Sequence, residues 1–254
     1  MSSGQVFVKH WLPDKLISKT PIILLHDSLG SVELWKTFPE QLAKHLCRQV
    51  IAYDRIGFGQ SSSLHELPSI DFIAKEACNY FPQIKQRLNL ENYVLIGHSV
   101  GGAMAINIAA SDIDCCTAIT ISAQAFVEDI TLQGIKVAKE NFKQPGQIKR
   151  LEKWHGSKAK WVLEAWFKIW LLPEFSSWSL EGCIGRVTCP VLAIHGDSDE
   201  FGSSAFPEYI ASHVSGRSEM LLLRDCGHMP HKEKVTEVIE GIDKFLTISG
   251  CNVS

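Results

Sequence analysis

Ser99 stands between two glycines, in Gly97-His98-Ser99-Val100-Gly101, where an apolar run gives way to small, helix-favouring residues. The pattern G-x-S-x-G at a strand-to-helix junction raises a serine on a sharp, strained turn, and glycines on either side relieve the crowding. The helix that follows leaves its first N–H groups unpaired, so the Val100 N–H is a candidate donor to a developing oxyanion. A serine hydroxyl is a poor nucleophile near neutral pH and needs a base within hydrogen-bond reach. In "RDCGHMPHKE", His228 follows an apolar run in a short glycine-containing loop, and it is the expected base. His231, behind Pro230 at the start of the last helix, is expected to be a solvated surface residue.

The base in turn needs a carboxylate to fix its tautomer and stabilise the imidazolium. "LAIHGDSDEFGS" offers Asp197, Asp199 and Glu200. Asp197 comes straight after the apolar run and suits a turn-shaping role. Asp199 lies far enough along the loop to reach back toward His228, and is the expected partner. His195, in the same stretch, reads as a packed strand-end residue.

These residues need a frame that brings them together. Continuous apolar runs at 21–27, 49–54, 92–98, 117–122, 190–197 and 219–225 read as strands buried on both faces, and 6–11 as an edge strand. Helical patterns lie between them at 31–46, 69–88, 101–111 and 233–248. The alternation predicts an α/β fold with a mostly parallel central sheet and helices on both faces. Right-handed crossovers then set the loops after the strands along one edge, and every residue named above falls after a strand.

One segment breaks the rhythm. From about 124 to 182 the pattern is helical throughout, and it carries Trp154, Trp161, Trp166, Trp170 and Trp178. In "KWVLEAWFKIW", Lys160, Glu164 and Lys168 form a polar stripe on an otherwise apolar helix, which is expected to be buried over most of its circumference. The reading is an inserted helical cap, 124–182, on a core formed by 1–123 and 183–254.

Composition narrows the function. The 254 residues carry a formal charge of −3, which gives no reason to expect nucleic acid or an anionic membrane as partner. No apolar run approaches the roughly 18 residues that span a bilayer. The first residues lack a basic stretch followed by an apolar one, so a cytoplasmic location is expected. The eight cysteines form no C-x-x-C pair and are expected to be free thiols, with Cys226 a bystander beside His228. No histidine, cysteine or carboxylate cluster has metal-site spacing, and G-F-G at 57–59 opens no nucleotide-binding helix; no cofactor or metal is expected.

The order Ser99, Asp199, His228, together with "LLHDSLGS", "YDRIGFGQSS", and the G-D-S-D and G-H-M-P loops, resembles the α/β-hydrolase fold superfamily over essentially the whole chain. The resemblance implies an acid at the last position of G-x-x-D, which here is Asp199. It also implies a second oxyanion donor from the loop after the early strand, here the N–H of Ser28, with His26 buttressing that loop. Asp27 departs from the usual glycine. A carboxylate facing a developing negative charge would oppose it, so Asp27 is expected to point away or be paired. Asp54 and Arg55 match a region that is structural in the family.

With a serine nucleophile the simplest chemistry is acyl transfer to water from a carboxylic ester or thioester. The aromatic cap, Trp166 and Trp170 above all, suits an apolar acyl or aromatic pocket. Two alternatives use the same scaffold: a carbon–carbon bond hydrolase or lyase, toward which "HDSLGS" mildly resembles the loop in menaquinone synthesis, and a ligand-sensing protein with slow turnover. Residues 124–182 hold nine Lys and Arg against seven Asp and Glu. A net positive cap on a net negative protein fits docking of an acidic acyl-carrier protein, as the resemblance to pimeloyl-carrier methyl esterases implies, but a solvated helix face accounts for the same charges and is the preferred reading.

Overall fold

Each of the seven apolar runs becomes a strand in the computed structural model, which describes residues 4–250. The strands are β1 (Val8–Trp11), β2 (Ser18–Leu25), β3 (Arg48–Tyr53), β4 (Tyr93–His98), β5 (Cys115–Ile121), β6 (Val191–Gly196) and β7 (Ser218–Leu223). They form one sheet in the order β1-β3-β2-β4-β5-β6-β7, parallel throughout except for the edge strand β1. The runs are continuous because both faces are covered. Ile22 and Leu24 of β2 join a core with α1 (Phe38–Leu46) and the C-terminal helix, while Ile23 and Leu25 pack on the opposite side. Each such side chain, taken fully from water, contributes about 1.5–3 kcal/mol before the entropy cost of ordering it.

The helices are more broken than their patterns predict. The 31–46 pattern splits into a 3-10 turn, Val32–Trp35, and α1, because Lys36 adopts a left-handed φ of 58° between them. The 69–88 pattern becomes α2 (Phe72–Lys75), a π-helical turn at Glu76–Tyr80, and α3 (Phe81–Leu88), in which Pro82 occupies the first turn and has no N–H to continue a preceding helix. After α4 (Val100–Ala109), the segment between β5 and β6 holds α5 (Asp129–Asn141), α6 (Gln147–His155), α7 (Ala159–Trp170) and α8 (Glu181–Ile184). Its two ends meet: Phe126 and Ser179 form an antiparallel bridge, and the Leu180 N–H donates to the Ala125 carbonyl at 2.8 Å. In α7, Val162, Leu163, Phe167 and Trp170 are buried, and Lys160 and Lys168 are exposed.

Three further helices flank β7 in the chain, one before it and two after. The sequence pattern did not single out α9 (Ala205–His213), whose nine residues include a proline. The last pattern starts earlier than expected, as a short α10 (Pro230–Glu233) before α11 (Val235–Ile248). Among the described residues no helix is long and apolar enough to cross a membrane. Among the described residues none of the seven cysteines is in a disulfide, and Cys251 lies outside them.

Candidate active site

Ser99 links β4 to α4 with φ 55° and ψ −127°, a conformation that costs a non-glycine residue about 1–3 kcal/mol. The surroundings enforce it. A Cβ at Gly97 would collide with the Gly101 carbonyl, and one at Gly101 with the Leu25 carbonyl, so the strand and helix can approach only through glycine. The Ser99 N–H donates to Ile121 of β5 at 2.8 Å, which pins the turn to the sheet. The Val100 N–H lies in the first turn of α4, where no intrahelical acceptor exists.

Asp199 and His228 are brought together from the loops after β6 and β7. His228 Nδ1 donates to the Asp199 carboxylate, 2.9 Å from Oδ1 and 2.8 Å from Oδ2. Asp199 Oδ1 also accepts the Phe201 N–H at 2.7 Å. Burial alone would raise the Asp199 carboxyl, but the hydrogen bond and charge of His228 hold it below its usual range. The same pairing raises His228 above the ordinary imidazole value, against a burial that would lower it. Such a ring presents its far nitrogen as a base and is stabilised once protonated.

Ser99 and His228 border one cavity of about 220 Å³, together with Ser28, Gln124, Trp166 and Trp170. The serine hydroxyl is not hydrogen-bonded to His228. It is bonded instead to Gln124, whose Nε2 lies 3.2 Å from Oγ. Nothing in the sequence pattern singled out Gln124 for this contact, which exists because β5 ends beside β4.

Asp27 borders the same cavity, and its carboxylate is paired. Its Oδ2 lies 3.2 Å from Nδ1 of His98, and its Oδ1 accepts the Leu29 N–H at 3.0 Å. Burial raises the Asp27 carboxyl, but the His98 hydrogen bond and charge outweigh it and hold the group far below the usual carboxylate range. His98 Nε2 in turn lies 2.8 Å from the His228 carbonyl. Both ring nitrogens of His98 therefore face acceptors. His26 packs under the loop, with Nδ1 2.8 Å from the Asp27 carbonyl and Nε2 accepting the Arg55 N–H at 3.1 Å. Asp54 holds the neighbouring loop by accepting the N–H groups of Val32 and Gln60.

His231 corrects its sequence reading. It is 3 % exposed, because α10 folds back onto the 3-10 turn and the ring packs 4.9 Å from Trp35 and 4.5 Å from His98. Burial lowers its basicity far below the ordinary value, so it is a neutral ring in the wall behind His98. Asp197 shapes the turn, with Oδ1 near the Cys226 N–H. His195 is buried at the end of β6, its Nε2 3.2 Å from the Gly202 carbonyl and 3.4 Å from Asp199 Oδ2. Burial pushes the Cys226 thiol up to about 11, which leaves it a poor nucleophile.

The segment between β5 and β6 reaches over this site through a residue the sequence reading passed by. His155, last in α6, accepts the Gly59 N–H on Nδ1 at 2.8 Å and donates from Nε2 to the Leu29 carbonyl at 3.0 Å. Trp166 and Trp170 of α7 form part of the cavity wall, and Phe201 stacks obliquely on His228 with ring centres 4.8 Å apart.

A family model described as the alpha/beta hydrolase fold matches residues 20–144. The chain is 23% identical to a proline iminopeptidase of Lactobacillus crispatus (strain ST1) over 273 aligned positions, covering 90% of each. It is 38% identical to the 1-acylglycerol-3-phosphate O-acyltransferase ABHD5 of Rattus norvegicus over 109 residues, 41% of this chain and 29% of that one. Among solved structures, a proline iminopeptidase of Mycobacterium smegmatis superposes with a TM-score of 0.76 at 19% identity, over 98% of this chain and 96% of that one. A thermophilic esterase from Thermogutta terrifontis gives 0.71 at 18% identity, over 96% and 93%.

Proposed function

The chain has the α/β-hydrolase fold, and from that premise we propose that it belongs to that superfamily as a serine hydrolase cleaving a carboxylic ester or thioester through an acyl-serine. The observation that carries the reading is His228, bonded by Asp199 through Nδ1 and bordering the same cavity as a serine held on a strained turn. Ser99 attacks the acyl carbon while His228 takes its proton. The Val100 and Ser28 N–H groups receive the oxyanion, each worth about 3 kcal/mol when well aimed. His228 then returns the proton to the leaving alcohol or thiol, and water repeats the sequence on the acyl-serine.

In this reading Gln124 holds the hydroxyl in a resting orientation, and substrate displaces that contact so that Oγ turns to His228. The helical segment over the site acts as a cap, and its apolar residues Ile135, Ala138 and Phe142, which border the serine cavity, favour a hydrocarbon arm on the substrate. Relatives named as a peptidase and an acyltransferase share the fold, and attack on an acyl carbon serves those activities as well.

The deciding experiment treats the purified protein with a fluorophosphonate and an activated ester. A single adduct on Ser99 and a burst of leaving group equal to enzyme, both absent in Ser99→Ala, are the expected results. Hydrolysis that survives Ser99→Ala would refute the proposal. The ligand-sensing alternative rests on the Ser99–Gln124 contact, and it requires stoichiometric labelling with no steady-state turnover on any acyl chain length.

A further inference from the structure

A second cavity of about 330 Å³ lies against the first, and the two share Ser28, Trp166 and Trp170 as a common wall. Ser99 and His228 border the smaller one, whereas Val100 borders the larger. The N–H groups assigned to the oxyanion therefore stand at the boundary between two chambers. An ester whose carbonyl sits there extends one arm into each.

The chambers differ in chemistry. Around the smaller one the lining beyond Ser99 and His228 is mostly hydrocarbon and aromatic, with Asp27, Ser28, Gln124 and Thr131 as its other polar members. The larger one carries two cations, Arg55 and Lys75, and two carboxylates, Glu66 and Glu76, beside the Tyr80 phenol, and of these only Arg55, at 6 % exposure, and Glu76, at 5 %, are buried. Arg55 donates from Nη2 to the Asp27 carbonyl at 2.7 Å, and its guanidinium lies 4.3 Å from the Phe58 ring centre, yet its buried Nε finds no acceptor. The buried indole Nε1 of Trp170, in the wall common to both chambers, also has no acceptor. Buried donors of this kind are rare in folded proteins, because leaving one unmade costs about 1–3 kcal/mol.

Glu76 decides what kind of acceptor fits. The Tyr53 hydroxyl donates to its Oε1 at 2.7 Å, and its charge and that of Arg55 act on each other, with no ion pair at contact distance between them among the described residues. It is a counter-charge in the same wall rather than a partner. A ligand carboxylate would gain from Arg55 but meet the field of Glu76 and Asp27. An uncharged carbonyl meets the donors without that repulsion.

Building on the hydrolase reading, we propose that the substrate is a two-armed ester: a hydrocarbon arm fills the serine chamber, and the other arm carries a second, uncharged carbonyl, a ketone or an amide, that accepts from Arg55 in the larger chamber. Arg55 is then a specificity-determining residue, and Glu76 sets the charge the chamber accepts.

The test uses esters in matched pairs that differ by one CH₂ replaced with C=O, on the acyl chain in one set and on the alcohol in the other, with a terminal carboxylate as third member. The native protein should prefer the carbonyl member of one set by about ten- to hundredfold in kcat/KM, as a hydrogen bond to a charged donor provides. Arg55→Met should bring that ratio to near one. Because the ratio is taken within each variant, a general loss of rate from loosening the Asp27 loop cancels. Glu76→Gln should move the preference toward the carboxylate. Ratios near one in both sets, a preference unchanged in Arg55→Met, or a native preference for the carboxylate would each overturn the proposal. If no ester is turned over, the hydrolase reading fails separately, and calorimetry of Ser99→Ala with the corresponding diketone and monoketone pairs still reads the chamber by the same ratio.

Discussion

Asp27 Oδ2 and His98 Nδ1 stand 3.2 Å apart, and the opposite edge of the same ring reaches the His228 carbonyl at 2.8 Å. The loops after β2 and β7 are thus joined through one imidazole at the end of β4 that is 2 % exposed. The residue that departs from the usual glycine is an anchor for the loop carrying Ser28.

Removing one member of that pair leaves the other buried and uncompensated. Asp27→Asn is expected to destabilise the protein by about 3 kcal/mol, measured by urea unfolding at neutral pH. The folded Asp27 carboxyl lies below its unfolded range, so its contribution is present above that range and is lost as the pH falls through the folded value. The gap between native and variant should therefore close in acid. A gap that widened as the pH fell would contradict the pairing.

Ser99 offers a separation of stability from activity. Ser99→Ala and Ser99→Gly should both lose turnover by about 10⁴-fold or more. Glycine alone tolerates a φ of 55°, so Ser99→Gly should be more stable than Ser99→Ala by about 1 kcal/mol. Equal unfolding midpoints for the two would show that the turn is not strained.

For the Asp199–His228 pair, the pH profile is the measurement. The proposed base works unprotonated, so kcat/KM should rise with pH through an inflection above the ordinary imidazole value. Asp199→Asn removes the cause of the elevation, and its residual activity, lower by about 10³–10⁴-fold, should show an inflection at lower pH. An unmoved inflection would assign the titration to another group.

Gln124→Leu removes the hydroxyl's partner with little change in volume. Labelling of Ser99 by a fluorophosphonate should quicken by about two- to tenfold, the worth of one ordinary hydrogen bond. Slower labelling would mean that Gln124 assists the reacting serine instead of restraining it.

The strands were legible because burial on both faces leaves an uninterrupted apolar signature, and the residues after them could be named from their types. The Asp199–His228 contact followed from loop reach. What stayed hidden depends on partners distant in the chain. A lysine gives no warning of the left-handed turn at Lys36 that splits the 31–46 helix. His231 reads as solvated from its first-turn position, and only Trp35, brought over by the fold, buries it. The Asp27–His98 pair was anticipated on one side alone: the carboxylate needed a partner, but nothing local named it. Arg55 and Glu76 face one chamber because a π-helical turn carries the glutamate toward β3, and that register slip has no mark in the sequence pattern.

The bridge between Phe126 and Ser179 gives the segment between β5 and β6 the character of a cassette. Its entry and exit lie side by side, so a foreign insert has to match a single seam to be accommodated by the sheet. Gln124 sits two residues before that seam and touches the Ser99 hydroxyl. Exchanging the whole stretch from Gln124 onward would therefore change the partner of the Ser99 hydroxyl along with the cavity walls that Trp166 and Trp170 supply.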